Sequence, residues 1–269
     1  MQFDFGKNWK EFSEKALTPE KIQQARSDFQ SLTTGINIKD ATFLDIGFGQ
    51  GLTLLIAREM GAKTVGCEIN PLSSEVLEYN KKKFLQLKDW SISVVIGSIL
   101  DSKIIDALKK IDFLKGNLYD IVHSWGVLHH TGSMWEAIKI TCGLVRPGGY
   151  LIISIYNRHW TSKIWLLIKW LYNKSPEMIK KLFVYSFFPI IYLAKFLVTG
   201  KNPTKSKRGM DFYFDIIDWL GGYPYEYATK DDVIKYVESL GFKCLHSIAS
   251  HVPTGCNEFI FQSEITKNK

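Results

Sequence analysis

The chain has 269 residues, 46% of them hydrophobic and 14% aromatic, which suits one large domain with an ordinary buried core and not a disordered chain. Its cysteines, Cys67, Cys142, Cys244 and Cys256, stand far apart with no CxxC pair, which argues against a disulfide framework or a metal site and for a reducing cytoplasm. The net charge of +7 is local: between Thr161 and Arg208 ten basic residues face Glu177 alone, and the remainder is about neutral.

The N-terminal MQFDFGKNWKEF carries acidic residues and no unbroken apolar core, so neither a signal peptide nor a membrane anchor is expected. Thr-Pro-Glu opens a predicted helix from about Thr18 to Leu32. From residue 41 to 155 apolar runs of strand length alternate with helical stretches. ATFLDI, KTVGCEI, SISVVIG, YDIVHS and YLIISIY read as strands, and LTLLIAREM, PLSSEVLEYNKKKF, DSKIIDALKKI and SMWEAIKITCGLV as helices. That alternation predicts an α/β fold with a doubly wound, mostly parallel sheet whose ligands sit at the carboxyl ends of the strands. Residues 160 to 208 interrupt the pattern. They are rich in Trp, Phe, Tyr and Lys, and Pro189 and Lys195 break their longest apolar run, so two helices with one apolar and one lysine-bearing face are expected in place of a membrane span. After residue 209 the pattern returns: Asp211, Asp215 and Asp218 share one helix face, KDDVIKYVESLGF is a helix closed at Gly241, and KCLHSIAS and NEFIFQS are two final strands. One domain over 1–269 is expected, with an N-terminal cover at 1–35, a core at 40–158, an insertion at 160–208 and a sheet-completing end at 209–269.

LDIGFGQG, residues 44–51, is the first motif that carries chemistry. A dinucleotide fold calls for GxGxxG, whereas here the third glycine, Gly51, comes one residue early. Asp45 would repel a phosphate held on this turn and attract an ammonium group, so a cationic ligand head is expected. Glu68 closes the second strand, where its two oxygens suit the hydroxyls of a ribose. The expected ligand therefore joins an amino-acid-like head to a nucleoside.

LDIGFGQG, VGCEIN, YDIVHSWGVLHHT and LVRPGGYLIIS, in this order and spacing, resemble the signature motifs of class I S-adenosylmethionine-dependent methyltransferases over about residues 40–155. The resemblance implies a seven-stranded methyltransferase sheet with S-adenosyl-L-methionine as cofactor. Asp45, Gly47, Gly49 and Gly51 would surround the methionine part, Glu68 would hold the ribose, Ile69 would pack on adenine, and Ser98 and Ile99 would border the adenine edge, with Ser124 counted among the cofactor contacts. Ser98 stands where the family often has Asp. FDFGKNWKEF and SWGVLHHTG resemble the branch that modifies small molecules, quinone-like or lipid-linked compounds among them, in which Phe5 and Trp9 would fold over the cofactor.

Methyl transfer to a neutral oxygen or nitrogen needs a proton acceptor. His129 and His130 follow the fourth strand at the mouth where the methyl group should lie, and either suits a general base; His123, within the strand, is read as a core residue. Tyr156, Asn157 and Arg158 follow the fifth strand and would orient an acceptor, Arg158 suiting a carboxylate or phosphate. His251, Asn257 and Glu258 are weaker candidates. The segment 160–208, outside the core pattern, is read as a lid over an apolar acceptor pocket or as a device that docks on an anionic membrane. The resulting expectation is a cytoplasmic methyltransferase, with possible membrane association, acting by O-methylation on a small-molecule or lipid-linked acceptor. The alternatives are an RNA methyltransferase, disfavoured because no base-flipping motif or RNA-binding module is present, and a non-catalytic cofactor-binding regulator.

Overall fold

Seven apolar segments pair into one sheet in the order β3-β2-β1-β4-β5-β7-β6. The computed structural model describes residues 3–84, 90–114, 117–200, 202–205, 212–250, 252 and 255–265, so Asp211 and His251 lie outside the described residues. The strands are β1 (Thr42–Ile46), β2 (Lys63–Glu68), β3 (Ser93–Ile96), β4 (Tyr119–Trp125), β5 (Val145–Tyr156), β6 (Phe242–Ile248) and β7 (Cys256–Ser263). The first five run parallel, and β7 pairs antiparallel with both β5 and β6. Strand order reverses between β1 and β4, so their carboxyl ends border the crevice where an α/β sheet takes its ligand.

Helices cover both faces. On one side lie α1 (Phe5–Lys15), α2 (Pro19–Leu32), α3 (Leu52–Glu59) and α4 (Leu72–Lys81); on the other lie α5 (Ser102–Lys109), α6 (Met134–Cys142) and α10 (Lys230–Ser239). β1 shows why both layers are needed: its alternation sends Leu44 and Ile46 into one core and Phe43 into the other, and every residue after Thr42 is buried. The insertion after β5 forms α7 (Ser162–Lys174) and α8 (Glu177–Thr199), and α9 (Phe212–Gly221) packs against both around Tyr172, Val184, Phe212, Ile216 and Leu220. Among the described residues no helix is long and apolar enough to cross a membrane.

Two elements differ from the sequence-based expectation. FGKNWKEFSEK forms α1, capped by Asp4, whose Oδ1 accepts from Gly6 N–H at 3.1 Å; its aromatic residues had suggested a cover without specifying helix. β5 begins at Val145, five residues before the predicted start, because Val145 pairs with Tyr119 and an irregularity in register carries the chain through Gly148, at φ +75°. Phe12 of α1 is fully buried and meets Phe214 edge-on at 5.8 Å. Phe12→Ala should therefore cost about 3–5 kcal/mol of unfolding free energy. Urea titration measures it, and a loss below about 1 kcal/mol would mean that α1 is not part of the core.

Candidate active site

The site is built where β1, β2, β4 and β5 run out. Gly47 N–H donates to the Cys67 carbonyl at 2.7 Å, which seats the glycine turn across the end of β2. At Gly49, φ is +53°, and a Cβ there would come within 3.0 Å of the Trp9 indole nitrogen. Only glycine lets the turn adopt this conformation with the indole so near. α4 braces the turn: Asn80 Nδ2 donates to the Gln50 carbonyl at 2.9 Å and to Ser13 Oγ of α1 at 3.0 Å.

Glu68 stands beside this turn. Its Oε2 accepts from Gly49 N–H at 3.0 Å, and Oε1 from Ile69 and Asn70 N–H at 2.9 and 3.2 Å. Burial raises its carboxyl group against these three bonds, which favour the ionised form. A carboxylate offers about four acceptor sites, so the backbone already takes most of them. One ribose hydroxyl is accommodated more readily than the two that the sequence had suggested. Ile69 follows with 46% of its surface exposed. One anchored carboxylate and an exposed aliphatic side chain beside a tight glycine turn fit a nucleoside.

Three expected cofactor contacts are placed elsewhere. Asp45 is 2% exposed, and its Oδ1 meets Nδ1 of His123 at 2.7 Å. The two residues are register partners in β1 and β4, so the Asp45 side chain lies within the sheet's covered face, next to Phe29 and Phe43 through the His123 ring. It holds His123, which is the core residue expected. Ser124 is fully buried and donates to the Ile46 carbonyl at 3.0 Å, tying β4 to β1 below the turn. Ile99 is 4% exposed and belongs to the core on the side of α5 and α6, not to an adenine edge. Ser98 keeps a half-buried place after β3, where its Oγ accepts from Leu100 N–H at 3.2 Å.

After β4 the chain makes one tight turn of helix over Leu128–His130, and hydrogen bonds divide the two histidines by role. Nδ1 of His129 accepts the Tyr156 N–H at 3.2 Å, so its proton sits on Nε2, which is buried; the Ser154 backbone beside the ring favours the protonated form against burial. His130 is the reverse. Its Nδ1 lies 2.6 Å from the Pro224 carbonyl, which can only accept, so Nδ1 carries the proton and Nε2 keeps the lone pair. Burial holds both rings neutral: it places His129 well below the ordinary histidine value and His130, with Lys169 adding to the effect, at about 3. His129 is thus a donor, and only His130 can take up a proton.

Tyr156 joins these groups. Its ring centre lies 4.0 Å from that of His129, 5.4 Å from that of His130 and 5.0 Å from that of Tyr225. Phe5 of α1 covers His130 at 5.5 Å, so α1 closes over the glycine turn with Trp9 and over the histidines with Phe5. Asn157 is occupied by structure: its N–H donates to Gly255 and its Oδ1 accepts from Asn257 at 3.2 Å. Arg158 points away to an open hollow of about 540 Å³ with His159, Trp160, Lys163 and Tyr227, and lies 3.6 Å from Asp232. Lys169 escaped sequence reasoning, whereas Asp218 was expected on a helix face with Asp215. Lys169 of α7 reaches into the space behind Tyr156, and Asp218 of α9 accepts from Asn8 Nδ2 at 2.6 Å, with burial raising its carboxyl to about 8.

A family model described as a methyltransferase domain matches residues 18–190. The match begins at the cap of α2 and ends inside α8, so it takes in all of α7, which sequence patterning had set apart from the core. No curated protein sequence matches. Among solved structures, an O-methyltransferase family protein from Burkholderia thailandensis superposes with a TM-score of 0.54 at 13% identity, over 91% of this chain and 58% of that one. Magnesium protoporphyrin IX methyltransferase from Synechocystis PCC 6803, with bound SAH, gives 0.51 at 14% identity over 94% and 88%. At such identities the likeness is one of fold.

The neutral histidines set a pH dependence. An unfolded chain titrates His130 near 6.5, whereas the folded chain resists protonation down to about 3. Below about pH 6.5 the unfolded state binds the extra proton, so stability falls as pH falls. The slope of unfolding free energy against pH between about 6.5 and 5 should be shallower in His130→Gln than in the wild type; equal slopes would show that His130 titrates normally.

Proposed function

The chain belongs to the class I S-adenosylmethionine-dependent methyltransferases, and from that premise we propose that it O-methylates a small-molecule acceptor, lipid-linked in its natural form, in the chamber between β4, β5 and the inserted helices. S-adenosyl-L-methionine is the methyl donor of this family. The glycine turn, Glu68 and Ile69 would hold it, and when bound there it supplies an electrophilic methyl carbon.

The observation that carries the reading is the pair of neutral histidines at the carboxyl ends of β4 and β5, with opposite tautomers. Nε2 of His130 takes the proton of an acceptor hydroxyl as its oxygen gains the methyl group. Nε2–H of His129 donates to an oxygen in the same space. Trp9 and Phe5 keep water from the reacting centre, and alignment in a closed site supplies the rest of the acceleration. A low pKa makes His130 a weak base when the site is empty; an acceptor whose oxygen becomes acidic as it attacks needs no stronger one.

The outer side of the insertion supports a membrane contact. Leu167, Leu171, Leu182, Leu193 and Leu197 are exposed on α7 and α8, Leu197 to 72%, with Lys163, Lys174 and Lys181 exposed beside them. The inner side of the same helices packs on α9. One hairpin therefore serves as lid on the inside and as an apolar surface ringed with lysines on the outside, suited to an anionic bilayer that delivers the acceptor. Free RNA phosphates would call for a more polar surface.

Two measurements test the reading. His130→Gln should lower turnover about 100-fold while calorimetry shows S-adenosylhomocysteine affinity retained; a full loss in His129→Gln with none in His130→Gln would reverse the assignment. In flotation with phosphatidylglycerol vesicles at low salt, the wild type should rise with the lipid and the double variant Leu167→Glu, Leu197→Glu should stay behind. Equal behaviour of the two proteins would remove the membrane contact.

A further inference from the structure

Of the lysines on α7, Lys163 and Lys174 face outward and Lys169 turns in, with 1% of its surface exposed. Its Nζ donates to the Trp219 carbonyl of α9. Three rings surround it, with centres 4.9 Å away in Tyr225 and 5.4 Å away in Tyr156 and Trp219. An ammonium group has three N–H donors, and the carbonyl accounts for one. Aromatic faces attract the cation but offer no conventional acceptor.

The groups that bear on this charge from neighbouring elements do not neutralise it. Asp218 on α9 is bonded to Asn8, and burial raises its carboxyl to about 8. Tyr156 on β5 and Tyr225 are pushed toward the neutral form by burial, and both histidines after β4 are neutral. Cys256 on β7 is the remaining titratable neighbour whose ionised form would attract it. Burial in turn lowers Lys169 to about 7. As packing alone, a lysine here is a poor choice, because an uncompensated buried ammonium is costly where a Leu or Met would fill the same space.

The Lys169 ammonium group therefore forms no salt bridge within the described residues. We propose that Lys169 binds an anionic oxygen of the methyl acceptor, a carboxylate or a phenolate distinct from the hydroxyl that His130 deprotonates, and so makes the enzyme select acidic acceptors. Lys169 is an acceptor-binding residue, set behind Tyr156 and on the same ring that His129 and His130 flank. The inference rests on the methyltransferase reading and adds the acceptor's chemical class.

The test uses the whole protein loaded with S-adenosylhomocysteine, and benzoate, benzamide and 4-nitrophenol as probes. Wild-type protein should bind benzoate at least about tenfold more tightly than the uncharged benzamide. Lys169→Met should lose that preference with S-adenosylhomocysteine affinity unchanged. The visible band of 4-nitrophenol gives a reading that needs no variant: the bound phenol should remain ionised about one unit below its pKa in water. Ionisation of nitrophenol without a preference for benzoate would narrow the class to phenolates, and the converse to carboxylates. With S-adenosylhomocysteine bound, equal affinity for benzoate and benzamide together with an unshifted nitrophenol would overturn the inference alone. Failure to bind S-adenosylhomocysteine at all would overturn the methyltransferase reading and this inference with it.

Discussion

The hydrogen bond from the Tyr156 N–H to Nδ1 of His129 is the contact on which the active site depends. It spans the carboxyl end of β5 and the turn after β4, so it fixes where two neighbouring strands leave the sheet relative to each other. By occupying Nδ1 it forces the imidazole proton onto Nε2, and so decides that His129 donates. It also sets the Tyr156 ring against His129, and that ring is the surface on which His130, Tyr225 and Lys169 gather. Backbone bonds continue the arrangement: the Tyr156 carbonyl accepts from Ala228 N–H, and the His129 carbonyl from Glu226 N–H. The segment after α9 is thereby held beside the strand ends, and the Pro224 carbonyl is brought to His130.

The inserted helices extend this arrangement beyond the sheet. α7 and α8 pack on α9 through a cluster separate from the two cores on the sheet faces. Lys169 ties that cluster to the strand ends through the Tyr156 ring. An insertion packed in its own cluster opens at less cost than an element buried in a main core. α1 closes the opposite side by the same economy, since Asn8 reaches the Phe214 carbonyl and Asp218 while Phe5 and Trp9 cover the site. Access thus depends on α1 and α7, both anchored on α9.

Much of this was legible in the sequence. Seven apolar runs of strand length, bounded by turns, gave all seven strands and their place around the glycine turn, because burial on both faces of a central strand demands continuous apolar residues. The direction of individual polar side chains was less readable, and for a physical reason. TFLDI is apolar on both sides of Asp45, so its alternation does not say which face the carboxylate takes; only register with His123 decides that. Lys169 was hidden similarly. Counted with nine other basic residues, it looked solvated, yet Trp165, Lys169 and Tyr172 fall four and three apart on one face of α7, the spacing of a buried stripe. A lysine in such a stripe was the available signal. Asp218 was legible as one acid of a helix face, but its burial was not, because its partner Asn8 lies 210 residues away.

Charge balance connects these side chains to the reaction. A sulfonium donor carries a positive charge at the reacting centre, and a protonated histidine beside it would add a second in a space of low polarity. Burial excludes that by keeping His129 and His130 neutral. Lys169 is the exception, a potential cation behind Tyr156, and in the proposed acceptor-binding role its charge would oppose donor binding unless an anion is present. An anionic acceptor reverses the sign of that effect: with it in place the chamber holds one positive side chain and one negative oxygen, and the donor meets no net repulsion. Occupancy by the acceptor would then favour occupancy by the donor, and the reverse, since the coupling between two bound ligands is reciprocal. A site of this kind discriminates against neutral acceptors twice, once by leaving Lys169 uncompensated and again by weakening the hold on the methyl donor.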